Sequence, residues 1–439
     1  MRSLLGVFVL LAVVAVAAPA PAVADPPRTG FEERGGASWT THAEELAFLA
    51  AVDAQSDRVT MTEIGRTAQN RPLQLVAIGD PAPRAAAEAR QEPTSLFICT
   101  QHGNEPAGRE ACLRWLRDLA FSTDPVIGRQ LREQTILFVP TANPDGRASN
   151  SRENGTEDIN RDHIDLSSRE ARAIASVVRD WQPDITVDLH EFGPPVPGLY
   201  DDELLYLWPR NLNVDPQVRM AAKTLALEYV RKGAEARGER AGEYGRYRIA
   251  GDYHVTQSAG DEDDAIARNT FGLRHSAGLL LETRVEQLVE SPGNPLSSAL
   301  MNRRVNTHYQ AVMDTLRYMR EQGPTVSFIN DNSAERKARE GAERSAPVYF
   351  NGQDEDGTLD GSGGAQSTSF ADPPPCGYSL DSAEYSKVNL TMQLHGIEVQ
   401  PRSDGAFVSM AQAAEPVIPL LLDARATRNA VEATPLNEC

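Results

Sequence analysis

His102-Gly103-Asn104-Glu105 sets an imidazole and a carboxylate three residues apart in this 439-residue chain, close enough to converge on one cation where a strand gives way to a helix. Zn2+ accepts both donor types, and a catalytic site built on them keeps one position open for water. The same spacing recurs in His42-Ala43-Glu44-Glu45, but at the start of an amphipathic helix with no strand before it, where it reads as solvated surface. Position separates the two. His102 and Glu105 follow the apolar run TSLFICT, and three more polar clusters follow apolar runs: Asn143-Pro144-Asp145-Gly146 after TILFV, His190-Glu191 after ITVDL, and Glu282 after GLLL. Ligands of open α/β sheets bind at the carboxyl ends of strands, so four such clusters point to one shared site at a sheet edge.

The elements that must carry these clusters alternate along the chain. Helical periodicity covers 41–54, with Thr41 as its cap, and two alternating strands span 58–65 and 73–79 about the turn 68–71. The apolar runs 94–100, 135–139, 185–189 and 278–281 suit buried strands, and helices are predicted over 105–121, 168–180, 217–237 and 302–322. This alternation implies an α/β fold, a three-layer α/β/α sandwich with a mixed, mostly parallel central sheet. Composition changes after Gly323. Residues 324–375 read as a Gly/Ser/Asp/Pro-rich connection, and 376–439 as a small β-rich C-terminal unit with strands at 385–395, 406–410 and 417–422.

Taken together, the succession HGNE, NPDGR, Arg152-Glu153-Asn154-Gly155, Asp158-Ile159-Asn160-Arg161-Asp162, DLHEF and LLLETR resembles the zinc carboxypeptidases of the carboxypeptidase A type. EIGRTAQNRPLQLVAIG, over 63–79, resembles that family's N-terminal hairpin, and the resemblance spans Thr41 to Arg320 within a catalytic domain drawn at 41–323. Carried over residue by residue, it implies His102, Glu105 and His190 as ligands of one Zn2+ and Glu282 as general base. It further implies Arg152 as stabiliser of the oxyanion, and Asn160 with Arg161 as the pair that holds a substrate's free C-terminal carboxylate. Each role suits its residue type. Two imidazoles and one carboxylate leave the ion a Lewis acid. A carboxylate beside a cation can carry a proton from water to a departing amine, and a guanidinium fork grips a carboxylate bidentately. For Glu282 the alternative is an ion pair with Arg274 or Arg284, and Arg147 competes with Arg152 for its role.

The sequence also departs from the family pattern. Asn104 stands where animal members carry an arginine, and Thr256 falls at the position of the tyrosine that folds over the substrate, leaving Tyr253 as a displaced candidate. The run Asp261-Glu262-Asp263-Asp264 favours a cationic terminal side chain if one of its carboxylates enters the pocket, and is otherwise a solvated acidic loop.

Composition bounds the setting. With 62 Asp+Glu against 43 Lys+Arg, the formal charge is −19 and no Lys/Arg cluster stands out, which argues against nucleic-acid and anionic-membrane partners. Arg2, the apolar run 4–18 and Ala22-Val23-Ala24 read as a secretory signal peptide, residues 1–24, followed by a disordered segment over 25–40. The mature protein is then secreted or periplasmic. Synthesis in directly active form is expected, since 25–40 carries no recognisable inhibitory pro-segment. Four cysteines in an oxidising compartment allow two disulfides. Cys376 with Cys439 would staple the C-terminal unit, whereas Cys99 and Cys112 suit buried thiols as well as a bridge.

The leading reading is an exported zinc-dependent carboxypeptidase acting on peptides with a free C-terminal carboxylate. A second keeps fold and metal but changes the bond, giving a zinc amidohydrolase on acyl-amino acids or cell-wall peptides. A third is a non-catalytic binding protein, against which the presence of all three ligands and the base argues.

Overall fold

The computed structural model describes residues 25–89, 92–193, 202–249, 252–256, 262–285, 298–352 and 367–439. The signal-peptide reading over 1–24 and most of the Gly/Ser-rich stretch at 353–366 lie outside them. The strands of the first three-quarters of the chain are β1 (Val59–Arg66), β2 (Pro72–Ile78), β3 (Thr94–Cys99), β4 (Thr135–Val139), β5 (Ile185–Phe192), β6 (Leu204–Leu207), β7 (Ala241–Glu243), the hairpin β8 (Arg246–Ile249) with β9 (Asp252–Thr256), and β10 (Ala277–Arg284). The principal helices are α1 (His42–Gln55), α2 (Ala107–Ala120), α3 (Arg169–Trp181), α4 (Pro216–Thr224), α5 (Ala267–Leu273), α6 (Ser298–Glu343) and α7 (Ser382–Leu394).

Eight strands form one mixed sheet in the order β1-β2-β4-β3-β5-β10-β6-β7. Its centre is parallel, with β3 paired to both β4 and β5, and β5 to β10. Alternate residues of these strands feed two apolar layers. Phe97, Cys99, Ile136 and Phe138 pack with Trp115 and Leu116 of α2, whereas Leu96, Ile98, Leu137 and Val139 pack with Ile174 and Val178 of α3 and Phe271 of α5. A sheet covered on both faces needs such continuous apolar runs, which is why the four buried strands were legible.

Three expectations differ from the structure. Residues 25–40 are folded rather than disordered. Thr29 caps a short helix through a reciprocal capping box with Glu32. Phe31 stacks on Trp39 at 5.1 Å between centroids and is buried against Ala107, Ala111 and Val305. Two aromatics suffice to pin so short a segment, although its composition is that of a linker.

The last helix of the sheet domain does not stop near Gly323 but runs to Glu343 as α6, with Pro324 inside it. Proline removes one helical hydrogen bond, yet the buried positions Val326, Asn330, Ser333, Lys337 and Gly341 keep helical spacing. That stripe is mostly polar, so hydropathy alone hides it. Asn330 donates to the Asp184 carbonyl at 2.8 Å, and Ser333 pairs with the His275 ring at 2.8 Å.

The C-terminal unit holds a four-stranded antiparallel sheet made of Gln400–Arg402, Gly405–Ser409, Gly377–Asp381 and Thr434–Leu436. Within it, 385–395 is not a strand but part of α7, opened by a capping box between Asp381 and Glu384, and 417–422 forms the short helix Ile418–Leu422. Cys376 and Cys439 are joined as a disulfide, and Cys99 and Cys112 are buried free thiols. The core of the unit is continuous with the sheet domain: Tyr378, Met392 and Leu421 share one apolar cluster with Ile164, Val214 and Leu273.

Candidate metal centre and active site

The four clusters meet at the carboxyl edge of the parallel strands because the chain leaves β3, β4, β5 and β10 at the same end. After β3, buried Thr100 takes the left-handed backbone region at φ 56° and turns the chain toward His102. A β-branched residue there is strained and persists only because its surroundings fix it. Gly103 then passes so close to the backbone of Gly146 and Arg147 that any Cβ would overlap it. The Arg147 guanidinium closes this contact by donating to the Gly103 carbonyl at 2.7 Å. The NPDG turn is itself braced. Asn143 accepts from the Gly146 amide at 2.7 Å and donates to the Gln101 carbonyl at 3.0 Å. The Asp145 carboxylate receives Thr67 at 2.8 Å and Arg71 at 2.5 Å from the β1–β2 turn. NPDG therefore builds the floor under HGNE rather than contributing a donor.

His102, Glu105 and His190 come together with one nitrogen or oxygen each inside a 4.8 Å circle, all three buried. Nδ1 of His102 lies 2.9 Å from Glu105 Oε1, Nδ1 of His190 lies 2.9 Å from Glu105 Oε2, and the two Nδ1 atoms are 3.0 Å apart. The rims of both rings point away to acceptors: Nε2 of His102 meets Asp158 Oδ1 at 3.0 Å, and Nε2 of His190 meets Asp188 Oδ2 at 2.6 Å. A metal-bound imidazole is held in this way, with the far nitrogen donating to a carboxylate that fixes tautomer and orientation. Two imidazole nitrogens and a carboxylate gathered this closely fit Zn2+, which would take the place of the contacts among them.

The charges follow from this packing. Burial pushes the Glu105 carboxyl up, but the His102 ring's charge and hydrogen bond, together with the bond from His190, outweigh it and hold the group at about 2. Burial pulls His190 down, and the adjacent Asp188 carboxylate more than reverses this, raising it well above the ordinary imidazole range. Glu282 behaves oppositely. It sits one strand over, paired in register with His190, and burial, helped by repulsion from Glu105, lifts it to about 7 against the attraction of His190, His102 and Arg152. Of the two arginines proposed as partners for Glu282, Arg274 instead donates to the Leu394 carbonyl at 3.2 Å.

The other expected residues lie as follows. Arg152 binds Asp158 through Nε at 3.0 Å and reaches Glu105 at 3.6 Å, with its side chain 46% exposed, so its guanidinium borders the donor cluster. Arg147 is turned away to Gly103. Arg161 stands at the rim, 3.8 Å from Asp263. Asn160 is buried; its Oδ1 accepts from the Ala267 amide at 2.9 Å, and its Nδ2 lies 3.0 Å from His190 Nε2, whose proton is already given to Asp188. Tyr253 lies on β9, and its side chain is outside the described part of the structure.

Sequence reasoning passed over the residues that orient the donors. Asp188 sits two residues before His190 on the same face of β5, and its other oxygen receives Gln101 Nε2 at 2.7 Å. Gln101 in turn meets His163 at 2.6 Å. The signal was present, since an acid inside an apolar strand at i−2 from a histidine faces the same way. Tyr244, after β7, is a second omission. Its phenol is held up chiefly by the negative charge of Glu282, with burial adding to it.

A mixed sheet that gathers a His/Glu/His donor set beside a buried carboxyl at one strand edge has the make-up of a metallohydrolase fold and site. The zinc carboxypeptidase family profile matches residues 45–284, more than half of the chain, and the chain belongs to that family. Carboxypeptidase 2 of Trichophyton tonsurans is 34% identical over 194 residues, 42% of this chain and 35% of that protein. Carboxypeptidase E of Caenorhabditis elegans is 26% identical over 224 residues, 46% of this chain and 42% of that one. The chain thus spans well under half the length of these relatives. Among solved structures, a metallo-carboxypeptidase from Burkholderia cenocepacia superposes with a TM-score of 0.47 at 19% identity, covering 63% of this chain and 69% of that one. Among the described residues no helix is long and apolar enough to cross a membrane.

Proposed function

We propose that the protein is an exported carboxypeptidase that removes the terminal residue from peptides with a free C-terminal carboxylate. The observation that carries this reading is the juxtaposition of the His102/Glu105/His190 donor set with Glu282, paired in register beside His190. His102, Glu105 and His190 would hold zinc, which when bound supplies a Lewis acid that polarises the scissile carbonyl and acidifies water. Glu282 accepts the proton of the attacking water and passes it to the departing amine. Its raised affinity for protons suits both halves of that transfer. Arg152, at the border of the donor cluster, offers a fixed positive charge to the oxygen on which negative charge develops. Arg161, at the rim, holds the substrate carboxylate. Asn160 accepts from the Ala267 amide and packs against the His190 ring, so it positions the loop beside Arg161. Export rests on Arg2, the apolar run 4–18 and Ala22-Val23-Ala24, and the Cys376–Cys439 disulfide accords with an oxidising compartment.

Hydrolysis of matched peptides ending in Lys, Phe, Glu or diaminopimelate, each as free acid and as amide with zinc supplied, tests the reading. Release of one residue from the acids alone, lost in Glu282→Gln, is the expected result. Equal cleavage of the amides removes Arg161 from its role, and no cleavage of any peptide transfers the site to acyl-amino acids or to a binding protein.

A further inference from the structure

We propose that the C-terminal unit supplies a specificity-determining residue to the active site: Arg428 reaches across the domain seam and neutralises Asp263 beside Arg161, so that the pocket for the terminal side chain accepts uncharged residues in preference to cations. The inference rests on the reading of Arg161 as the carboxylate grip.

The loop 262–266 is the wall next to that grip. Its Ala265 carbonyl accepts from the His163 amide at 3.1 Å, the Ala267 amide binds Asn160 at 2.9 Å, and Asp263 lies 3.8 Å from Arg161. Asp263, with Asp165 nearby, would make this wall attractive to an ammonium or guanidinium group; Asp264 is buried and lifted to about 7, so it adds less. Arg428 changes that balance. Its Nε stands 3.4 Å from Asp263 Oδ1, one Nη 3.9 Å from Asp165, and the same Nη donates to the Arg161 carbonyl at 3.4 Å. A guanidinium between two carboxylates cancels the field a cationic substrate would follow, and the Arg161 charge stays available for the substrate carboxylate.

Arg428 is held in place by its own unit. The loop that carries it is tied down by Ala430 and Ala433 amides donating to the carbonyls of Leu421 and Leu422, both at 2.9 Å. Arg425 on the same loop grips Asp423 at 2.8 Å and lies over the Phe350 ring at 4.3 Å. The side chains of Arg428, Asp263 and Arg161 are 34%, 22% and 37% exposed, so the cluster faces solvent at the rim and not the core.

The test compares kcat/KM on otherwise identical peptides ending in Lys and in Phe for the full chain, Arg428→Gln, Arg428→Lys and the double variant Arg428→Gln/Asp263→Asn. Arg428→Gln is expected to raise the Lys-to-Phe ratio at least tenfold, Arg428→Lys to keep the parent ratio, and the double variant to return to it. A ratio that moves less than twofold in Arg428→Gln, or an equal loss on both peptides, overturns the inference. Calorimetric binding of free lysine and free phenylalanine to the same variants reads the ratio without turnover. If the parent cleaves neither peptide, the proposed activity fails, and the binding ratio alone decides the role of Arg428.

Discussion

The two sides of the active-site cleft use buried carboxylates in opposite ways. On the β3–β5 side, Glu105 is locked between two imidazoles and held at about 2, a committed anion and so a donor to a cation. On the β10 side, Glu282 is equally buried but has no such grip, and rises to about 7, where it can gain and lose a proton under mild conditions. Burial is common to both. What separates the two carboxyls is whether hydrogen-bond donors accompany the burial, and carboxyls pushed apart in this manner suit different tasks.

The contrast can be broken most severely on the donor side. His190→Ala removes one of three donors and is expected to abolish both retained zinc, read by metal analysis after dialysis, and hydrolysis. If that variant keeps its metal, the donor set has been misassigned. On the other side, Glu282→Gln should retain zinc yet lose about a hundred- to ten-thousandfold in kcat, the span associated with losing a general base. In the parent enzyme, kcat/KM should decline as the pH falls through the range at and below 7, because a protonated Glu282 cannot accept a proton and a neighbouring cation moves its midpoint only downward. An acid limb centred above 7 would contradict the assignment.

A smaller effect sharpens the donor side. Asp188→Asn leaves the size of the His190 partner unchanged but removes its charge, and is expected to weaken zinc affinity by about 10- to 100-fold, measured by chelator competition. Unchanged affinity would reduce Asp188 to a packing residue.

The mildest prediction separates burial from function. Glu415, in the C-terminal unit, is raised to about 7 by burial despite Lys337 at 3.9 Å, and it has no part in the chemistry. The folded state holds this proton more tightly than the unfolded chain, so stability declines as the pH rises from the ordinary glutamate range toward 7 and then levels off. Glu415→Gln should lack that decline, gaining roughly 3 kcal/mol over the parent across the interval at 1.36 kcal/mol per pKa unit, read by urea unfolding at several pH values. Activity should not change. A pH-independent difference would show that the Glu415 carboxyl titrates normally.

Legibility in the sequence followed the physical source of each feature. The central strands were read nearly to their ends because doubly covered strands require unbroken apolar runs, and His102, Glu105, His190 and Glu282 because each polar cluster interrupts such a run at its carboxyl end. The capping box of Asp381 and Glu384 was present but outweighed by the apolar alternation of 385–395; in the fold that box opens a helix whose Val388 and Met392 are buried. The far half of α6 was illegible for another reason: its buried stripe is polar and meaningful only when Asp184 and His275 stand opposite.

The sequence by itself determined the donor types, their local spacing and the sheet that would carry them, because these depend on side-chain chemistry and on periods of two and 3.6 residues. Only the folded chain brings Asp158 to the His102 ring, Asn160 beside His190 and the Ala267 amide, and Arg428 to Asp263. Each of these joins residues distant in the chain, through contacts a few ångströms long, and no local pattern encodes such a distance.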